Sequence, residues 1–265
     1  MITSDAPPTL APTAALFLDF DGTLVPIAPR PQDVCVPAWV LPSLRDLSTR
    51  LEGALAIVSG RPLAQLDDFL APLRLPCAGA HGAEWRGASG RVRRQLDDPP
   101  PTVVHAARVL VAVHSGLILE TKPSGFSLHY RARPELESEC RDTLFAALAA
   151  LPDASVVWQW LHGHCVFELK QRSVSKGLAV RALLAQAPFA GRQPVFVGDD
   201  LTDEDGIAAV QAAGGFGVRV GGGASQARYR LTNTDAVGAW LTAALGAIAA
   251  PAPAPSVDTR ERSIR

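Results

Sequence analysis

At three places in this 265-residue chain a short apolar run ends in oxygen-rich side chains. Ala14-Ala15-Leu16-Phe17-Leu18 leads into Asp19-Phe20-Asp21-Gly22-Thr23. Leu55-Ala56-Ile57-Val58 leads into Ser59-Gly60-Arg61-Pro62, and Pro194-Val195-Phe196-Val197 into Gly198-Asp199-Asp200. A continuous apolar run of this length suits a strand buried on both faces, as in parallel sheets. Ligands of such sheets bind beyond the carboxyl ends of the strands. If the three strands are neighbours, three or four carboxylates, a hydroxyl and a guanidinium meet at one place. Carboxylates a few Å apart raise each other's pKa and cannot all ionise together without a cation. Donors that are all oxygen point to a hard ion, Mg²⁺ rather than Zn²⁺. With Arg and Lys nearby, these are the parts that handle phosphate.

The elements that must position these groups follow two patterns. On either side of the middle of the chain, strands alternate with helices. A helix is expected from about Pro37, with Val40, Leu44, Leu47 and Leu51 at helical spacing. Pro62 is expected at the first helical position before the Leu63, Leu66, Leu70 stripe. Leu75 to Ala80 reads as a short strand leading to His81-Gly82. Ser175-Lys176-Gly177 opens a helix, another runs from Glu204 to Ala213, Phe216 to Val220 is a strand, and Ala236 to Ala249 is the last helix. Between roughly 100 and 170 the order is αββαββ: a helix over Thr102 to Val113, a hairpin of Gly116–Lys122 and Ser127–Arg131, a helix from about Pro134 to Ala150, then strands Val156–Trp160 and Cys165–Leu169. This order predicts a small antiparallel sheet backed by two helices. The expected fold class is α/β, a doubly wound parallel-sheet (Rossmann-like) core over 14–100 and 171–249, with an inserted α+β domain over 101–170 and flexible ends at 1–13 and 250–265.

Composition narrows the classes. Apolar residues make up 48% and charged residues 19%, enough side chain for a core and too little charge for a disordered chain. The net charge of −1 argues against a nucleic-acid binder. No stretch of about 18 apolar residues predicts a membrane span. The start, MITSDAPPTLAPTAA, has no basic region of a secretion signal, so a cytoplasmic protein is expected; a monomer acting on a small-molecule substrate is expected as well. Cys35, Cys77, Cys140 and Cys165 are scattered and read as reduced core thiols. Of 25 basic residues only Lys122, Lys170 and Lys176 are lysine, so positions that keep an ammonium attract notice. Lys170 is nevertheless read as a surface residue. Trp158 and Trp160 read as packing, Glu204 and Asp205 as the acidic first turn of a helix, Gly221-Gly222-Gly223 as a turn, and His105, His114, His162 and His164 as surface residues.

Asp19-Phe20-Asp21-Gly22-Thr23-Leu24 resembles the first motif of the haloacid-dehalogenase-like (HAD) phosphatases. Ser59 with Gly60-Arg61 resembles the second, Lys176-Gly177 the third, and Gly198-Asp199-Asp200-Leu201-Thr202-Asp203-Glu204 the fourth. The resemblance sharpens to the trehalose-6-phosphate phosphatases through SGR (59–61), GAHGAE (79–84), Lys122 with Ser127-Leu128-His129-Tyr130-Arg131, Phe167-Glu168-Leu169 and GDDLTDED (198–205). Gly206, where relatives carry an apolar residue, departs from the pattern outside the catalytic motifs. The resemblance implies an Mg²⁺-dependent phosphatase in which the insert is a mobile cap. Asp19 is then the nucleophile that forms an aspartyl-phosphate, and Asp21 the general acid and base. Asp19, the Asp21 carbonyl and Asp199 hold the metal, with Asp200 and Asp203 orienting them. Ser59 bonds a phosphate oxygen and Lys176 offsets negative charge. Gly60, Arg61 and His81 are placed with the substrate, His81 having the equal alternative of a turn residue. In the cap, Lys122 and Glu168 are implied as glucose-hydroxyl ligands, with His129 and Arg131 close by. The expected substrate is trehalose 6-phosphate. The alternatives are another sugar phosphate, such as sucrose 6-phosphate or mannosyl-phosphoglycerate, or a non-catalytic sugar-phosphate-binding regulator.

Overall fold

The computed structural model describes residues 6–28, 33–94, 98–122, 125–163 and 165–248. In chain order the elements are β1 (Ala14–Leu18), α1 (Val40–Arg50), β2 (Leu55–Val58), α2 (Leu63–Leu70), β3 (Cys77–Gly79), β4 (Glu84–Arg86) and β5 (Val92–Arg94). Next come α3 (Pro101–Val113), β6 (Ile118–Lys122), β7 (Gly125–His129), α4 (Glu137–Ala149), α5 (Ala154–Val157), β8 (Trp158–Gly163) and β9 (Val166–Gln171). The chain then continues through α6 (Lys176–Leu184), β10 (Gln193–Gly198), α7 (Glu204–Ala212), β11 (Phe216–Val220), β12 (Tyr229–Leu231) and α8 (Thr234–Ala247).

The large sheet has the order β12-β11-β10-β1-β2-β3-β4-β5. Strands β12 to β3 are parallel, and β4 and β5 are added antiparallel at one edge. Chain order climbs outward from β1 through β2 in one direction and from β10 through β11 in the other. The crevice between β1 and β10 is therefore a topological switch point, where open α/β sheets bind ligands. Every residue of β1 and β2 is buried, which accounts for their unbroken apolar sequence.

The small sheet is antiparallel, in the order β6-β7-β9-β8. One face carries Phe126, Leu128, Phe167 and Leu169, which pack with Val103, Leu110, Cys140 and Leu144 of α3 and α4. This apolar cluster is separate from the one around the large sheet. Trp158 is buried and Trp160 stacks on Phe145, so both tryptophans are packing residues.

Several expectations are corrected. Pro62 is the N-cap of α2, with ψ at 149°, and the helix begins one residue later. The strand expected from Val156 starts at Trp158, because Ala154–Val157 forms a helical turn that leaves Val156 70% exposed. Cys35 is exposed, against the expectation of a core thiol, whereas Cys77 and Cys140 are buried and Cys165 is half-buried. Within the segment expected to be flexible at the N-terminus, Leu10 is buried and the Pro8 carbonyl accepts the Trp240 Nε1–H at 3.0 Å. Residues 1–5 and 249–265 and the side chain of His164 lie outside the described residues. No helix among the described residues is long and apolar enough to cross a membrane.

Candidate active site

The site is built where the apolar strands stop. The Asp19 N–H continues the ladder of β1 by donating to the Val197 carbonyl at 2.9 Å. Phe20 turns into the core and is fully buried, so its neighbours Asp19 and Asp21 share the opposite side and both line the cavity. Gly22 then turns the chain with φ of +78°, and a Cβ there would lie 2.1 Å from Asp199 Oδ2. Only glycine both adopts this turn and leaves room for the Asp199 carboxylate.

Lys176 arrives from the first turn of α6, a helix started by Ser175, whose Oγ accepts the Leu178 N–H. Its Nζ donates to Asp19 Oδ1 at 2.8 Å and to Asp203 Oδ1 at 2.6 Å. All three groups are almost wholly inaccessible to water. Burial pushes the Asp19 carboxyl up to about 7 while Lys176 pulls it down. Burial and the Asp19 charge push Asp203 up to about 7. Asp199 rises to about 6 through burial and the charges of Asp203 and Asp200. The Lys176 ammonium is raised by Asp19 and Asp203 against the desolvation that opposes it, so it stays charged.

The loop after β10 is held by its own carboxylates. Asp203 Oδ2 accepts the N–H groups of Asp199 and Asp200, each at 3.0 Å. Asp200 Oδ1 accepts the Thr202 N–H and hydroxyl, each at 2.7 Å, and the Asp203 N–H at 3.2 Å. The Asp199 carboxylate stands beside that of Asp19. Carboxylate oxygens of Asp19, Asp199 and Asp203 lie within 4.8 Å of one another. An all-oxygen, mutually repelling set of this kind fits a hard divalent cation. Asp203 is already committed to Lys176 and two N–H groups, which fits it as the support of the set.

After β2, Ser59 is buried and its Oγ accepts the Arg61 N–H at 3.2 Å. Arg61 clamps Asp21 in a bidentate pair, Nε to Oδ2 at 2.6 Å and Nη2 to Oδ1 at 2.7 Å. Its guanidinium also lies 5.0 Å from the centre of the Phe69 ring. His81 has φ of +57° and places its ring where a Cβ on Gly60 would be 2.8 Å away, so glycine at 60 is what admits it.

These groups line one cavity of about 630 Å³, bounded by Asp19, Asp21, Ser59, Gly60, Arg61, His81, Lys176, Asp199 and Asp200 below, and by Glu120, Thr121 and Glu168 of the small sheet above. Register explains the roof. Glu120 is paired with Ser127, and Ser127 with Glu168, so all three stand in one row on the face away from α3 and α4. Ser127 Oγ donates to Glu168 Oε2 at 3.3 Å. Of the expected substrate residues, His129 does not line the cavity but pairs with Glu120 at 3.0 Å. Arg131 is exposed beyond the end of β7. The side chain of Lys122 lies outside the described residues. Lys170, expected on the surface, is 7% exposed; it is two residues from Glu168, on the same face of β9. Glu120 is the residue that sequence reasoning missed. Its signal was the alternation of β6 opposite the Ser127 position.

An eight-stranded, mainly parallel sheet with this acidic crevice under a small antiparallel sheet is the architecture of HAD phosphatases. One solved structure it matches, from a study of phosphatases of the haloalkanoate (HAD) enzyme superfamily, comes from Bacteroides thetaiotaomicron, with a TM-score of 0.61, 16% identity, and 88% of this chain and 95% of that one covered. A second is the C-terminal domain of Candida albicans trehalose-6-phosphate phosphatase, with a TM-score of 0.71, 20% identity, and 88% and 92% covered. The family model for trehalose-phosphatase matches residues 17–235. The chain is also 40% identical over 241 residues to the trehalose-6-phosphate phosphatase of Escherichia coli K12, covering 88% of this chain and 87% of that one. The chain belongs to the trehalose-phosphatase family, a family of phosphatase enzymes.

Proposed function

We propose that this enzyme hydrolyses trehalose 6-phosphate to trehalose and inorganic phosphate, with chemistry in the large-sheet body (14–100 and 171–249) and sugar recognition in the 101–170 cap. The observation that carries the reading is the single cavity in which the ends of β1, β2 and β10 and the start of α6 meet beneath Glu120 and Glu168. In this reading an Asp19 carboxylate oxygen attacks phosphorus, the bond to the sugar oxygen breaks, and an aspartyl-phosphate forms. Asp21 gives a proton to the departing sugar oxygen. It then takes one from the water that hydrolyses the intermediate, a contribution of roughly 10²–10⁴-fold. The Arg61 clamp bears on this role: the guanidinium holds both Asp21 carboxyl oxygens, and a phosphate dianion is the natural competitor for it, so a bound phosphate would release Asp21 for proton transfer. Ser59 bonds a phosphate oxygen. Lys176 keeps Asp19 in place and offsets charge.

Mg²⁺ is the cation proposed, held by Asp19 and Asp199 with the Asp21 carbonyl. It would supply neutralisation of the phosphoryl oxygens. Above, Glu120 and Glu168 offer acceptors for sugar hydroxyls, with Lys122 as a donor and His129 acting through Glu120. Gly60 and His81 shape the floor beside the phosphate. Closure of the cap excludes water and seats the substrate.

The test is phosphate release from trehalose 6-phosphate, beside sucrose 6-phosphate and glucose 6-phosphate, with Mg²⁺ and with EDTA. The expected outcome is fast release from trehalose 6-phosphate that EDTA abolishes. Asp19→Asn is expected to lower kcat on the order of 10⁴-fold or more. Preferential release from another sugar phosphate would leave the floor chemistry standing and overturn the roles given to Glu120, Lys122 and Glu168.

A further inference from the structure

Glu84 is a buried carboxylate that the mechanism above does not use. It is 7% exposed at the start of β4, and its Oε2 accepts the Leu63 N–H at 3.1 Å. Leu63 opens α2, whose N-cap, Pro62, has no side-chain acceptor to offer. The first N–H groups of a helix have no partner within it. A carboxylate 21 residues along the chain thus takes the place of a local cap, with its negative charge at the positive end of the helix.

The turn held in this way carries Ser59 and Arg61. The two segments are already laced by backbone bonds. The Ser59 N–H donates to the Ala78 carbonyl at 2.8 Å, the His81 N–H to the Ser59 carbonyl at 2.9 Å, and the Ala80 N–H to the Arg61 carbonyl at 2.8 Å. Glu84 adds the bond at the far end of this lacing, where the turn becomes α2. We propose that Glu84 is a positioning residue for the phosphate half of the site: by capping α2 from β4 it fixes where Ser59 and Arg61 sit. The inference rests on the reading of Ser59 and Arg61 as parts of the phosphate-binding floor.

The experiment measures kcat and KM for trehalose 6-phosphate, and inhibition constants for orthophosphate and for trehalose, in wild type, Glu84→Asp, Glu84→Ala and Glu84→Gln. Asp withdraws the acceptor by one methylene while keeping the charge, whereas Gln keeps an oxygen at the same reach. Glu84→Asp and Glu84→Ala should weaken orthophosphate binding and raise KM by about five- to tenfold, the size of a lost helix cap. Trehalose binding should stay within about twofold of wild type, and so should every constant of Glu84→Gln. Should Glu84→Ala fail to fold, Glu84→Asp decides. The proposal is overturned if Glu84→Asp binds orthophosphate as wild type does, if both inhibition constants rise together, or if Glu84→Gln loses as much as Glu84→Asp. A wild-type protein that releases no phosphate from trehalose 6-phosphate would instead defeat the functional reading on which the proposal stands.

Discussion

The floor and the roof of the cavity are built differently. On the floor, Asp19 is 4% exposed, Lys176 2% and Asp203 0%, and short bonds of 2.6 and 2.8 Å join them. On the roof, the Glu120 side chain is 54% exposed, and its partner His129 is 36% exposed. Glu168 is held by Ser127 through a bond of 3.3 Å. The floor is a pre-set, desolvated charge arrangement, which under the proposed function stabilises the phosphoryl group placed in it. The roof is the more exposed of the two. The proposed function therefore separates rate from choice: changes below should affect every phosphate ester, and changes above only the matching sugar.

The largest effect expected is at Lys176. Lys176→Met leaves Asp19 and Asp203 buried without their cation. Breaking a buried pair by removing one partner costs about 3–5 kcal/mol, so thermal unfolding should shift well below wild type. Turnover of a small aryl phosphate should fall along with that of the disaccharide phosphate. A variant that lost only the disaccharide activity would break the separation.

Glu120→Ala comes next. It should lower kcat/KM for trehalose 6-phosphate by roughly tenfold, the effect of about one charged hydrogen bond. Aryl phosphate turnover should change little. Steady-state kinetics on the two substrates checks this, and His129→Ala should reproduce a weaker form of the same selectivity.

An ion pair that joins α2 to β4 outside the cavity lining sharpens the comparison. Asp67 bonds Arg86 at 2.7 and 2.9 Å, and this bond holds its carboxyl below the usual range. An acid depressed in the folded state adds stability that is present above its unfolded pKa and is lost as pH falls through the folded value. Asp67→Asn should lower the midpoint of unfolding by a few degrees at pH 7, and by progressively less as the medium is acidified. Substrate preference should not move. Calorimetry at several pH values measures it.

The smallest effect is chemical. Burial pushes the Cys77 thiol up to about 12 and raises that of Cys140, whereas Cys35 is exposed. A thiol reagent at pH 8 should label Cys35 in the folded enzyme and reach Cys77 and Cys140 only on unfolding.

Much of the floor was legible because its parts are local. β1, β2 and β10 are buried on both faces, so each reads as an apolar run, and the polar cluster that follows marks the strand end. β4, β5 and β12 were not legible. Each is three residues long and carries charge or tyrosine among its apolar residues, as in Glu84-Trp85-Arg86 and Tyr229-Arg230-Leu231. Only pairing with the existing sheet makes them strands. Glu120 was hidden for a related reason: its place beside Ser127 and Glu168 is a property of register, which no single strand displays. The Arg61 clamp on Asp21 spans 40 residues and appears only when β1 and β2 are set side by side. Lys170 was misjudged because two residues after Glu168 reads as the fading end of a strand, whereas β9 continues to Gln171.

The most direct test of the separation is the pair of kcat/KM values for trehalose 6-phosphate and for a small aryl phosphate, measured in wild type and in Glu168→Ala. Glu168 lines the roof, where it accepts the Ser127 hydroxyl. The expected result is a loss of roughly tenfold or more for the disaccharide phosphate, the price of one charged contact, with the aryl phosphate unchanged. An equal loss on both substrates would contradict the account.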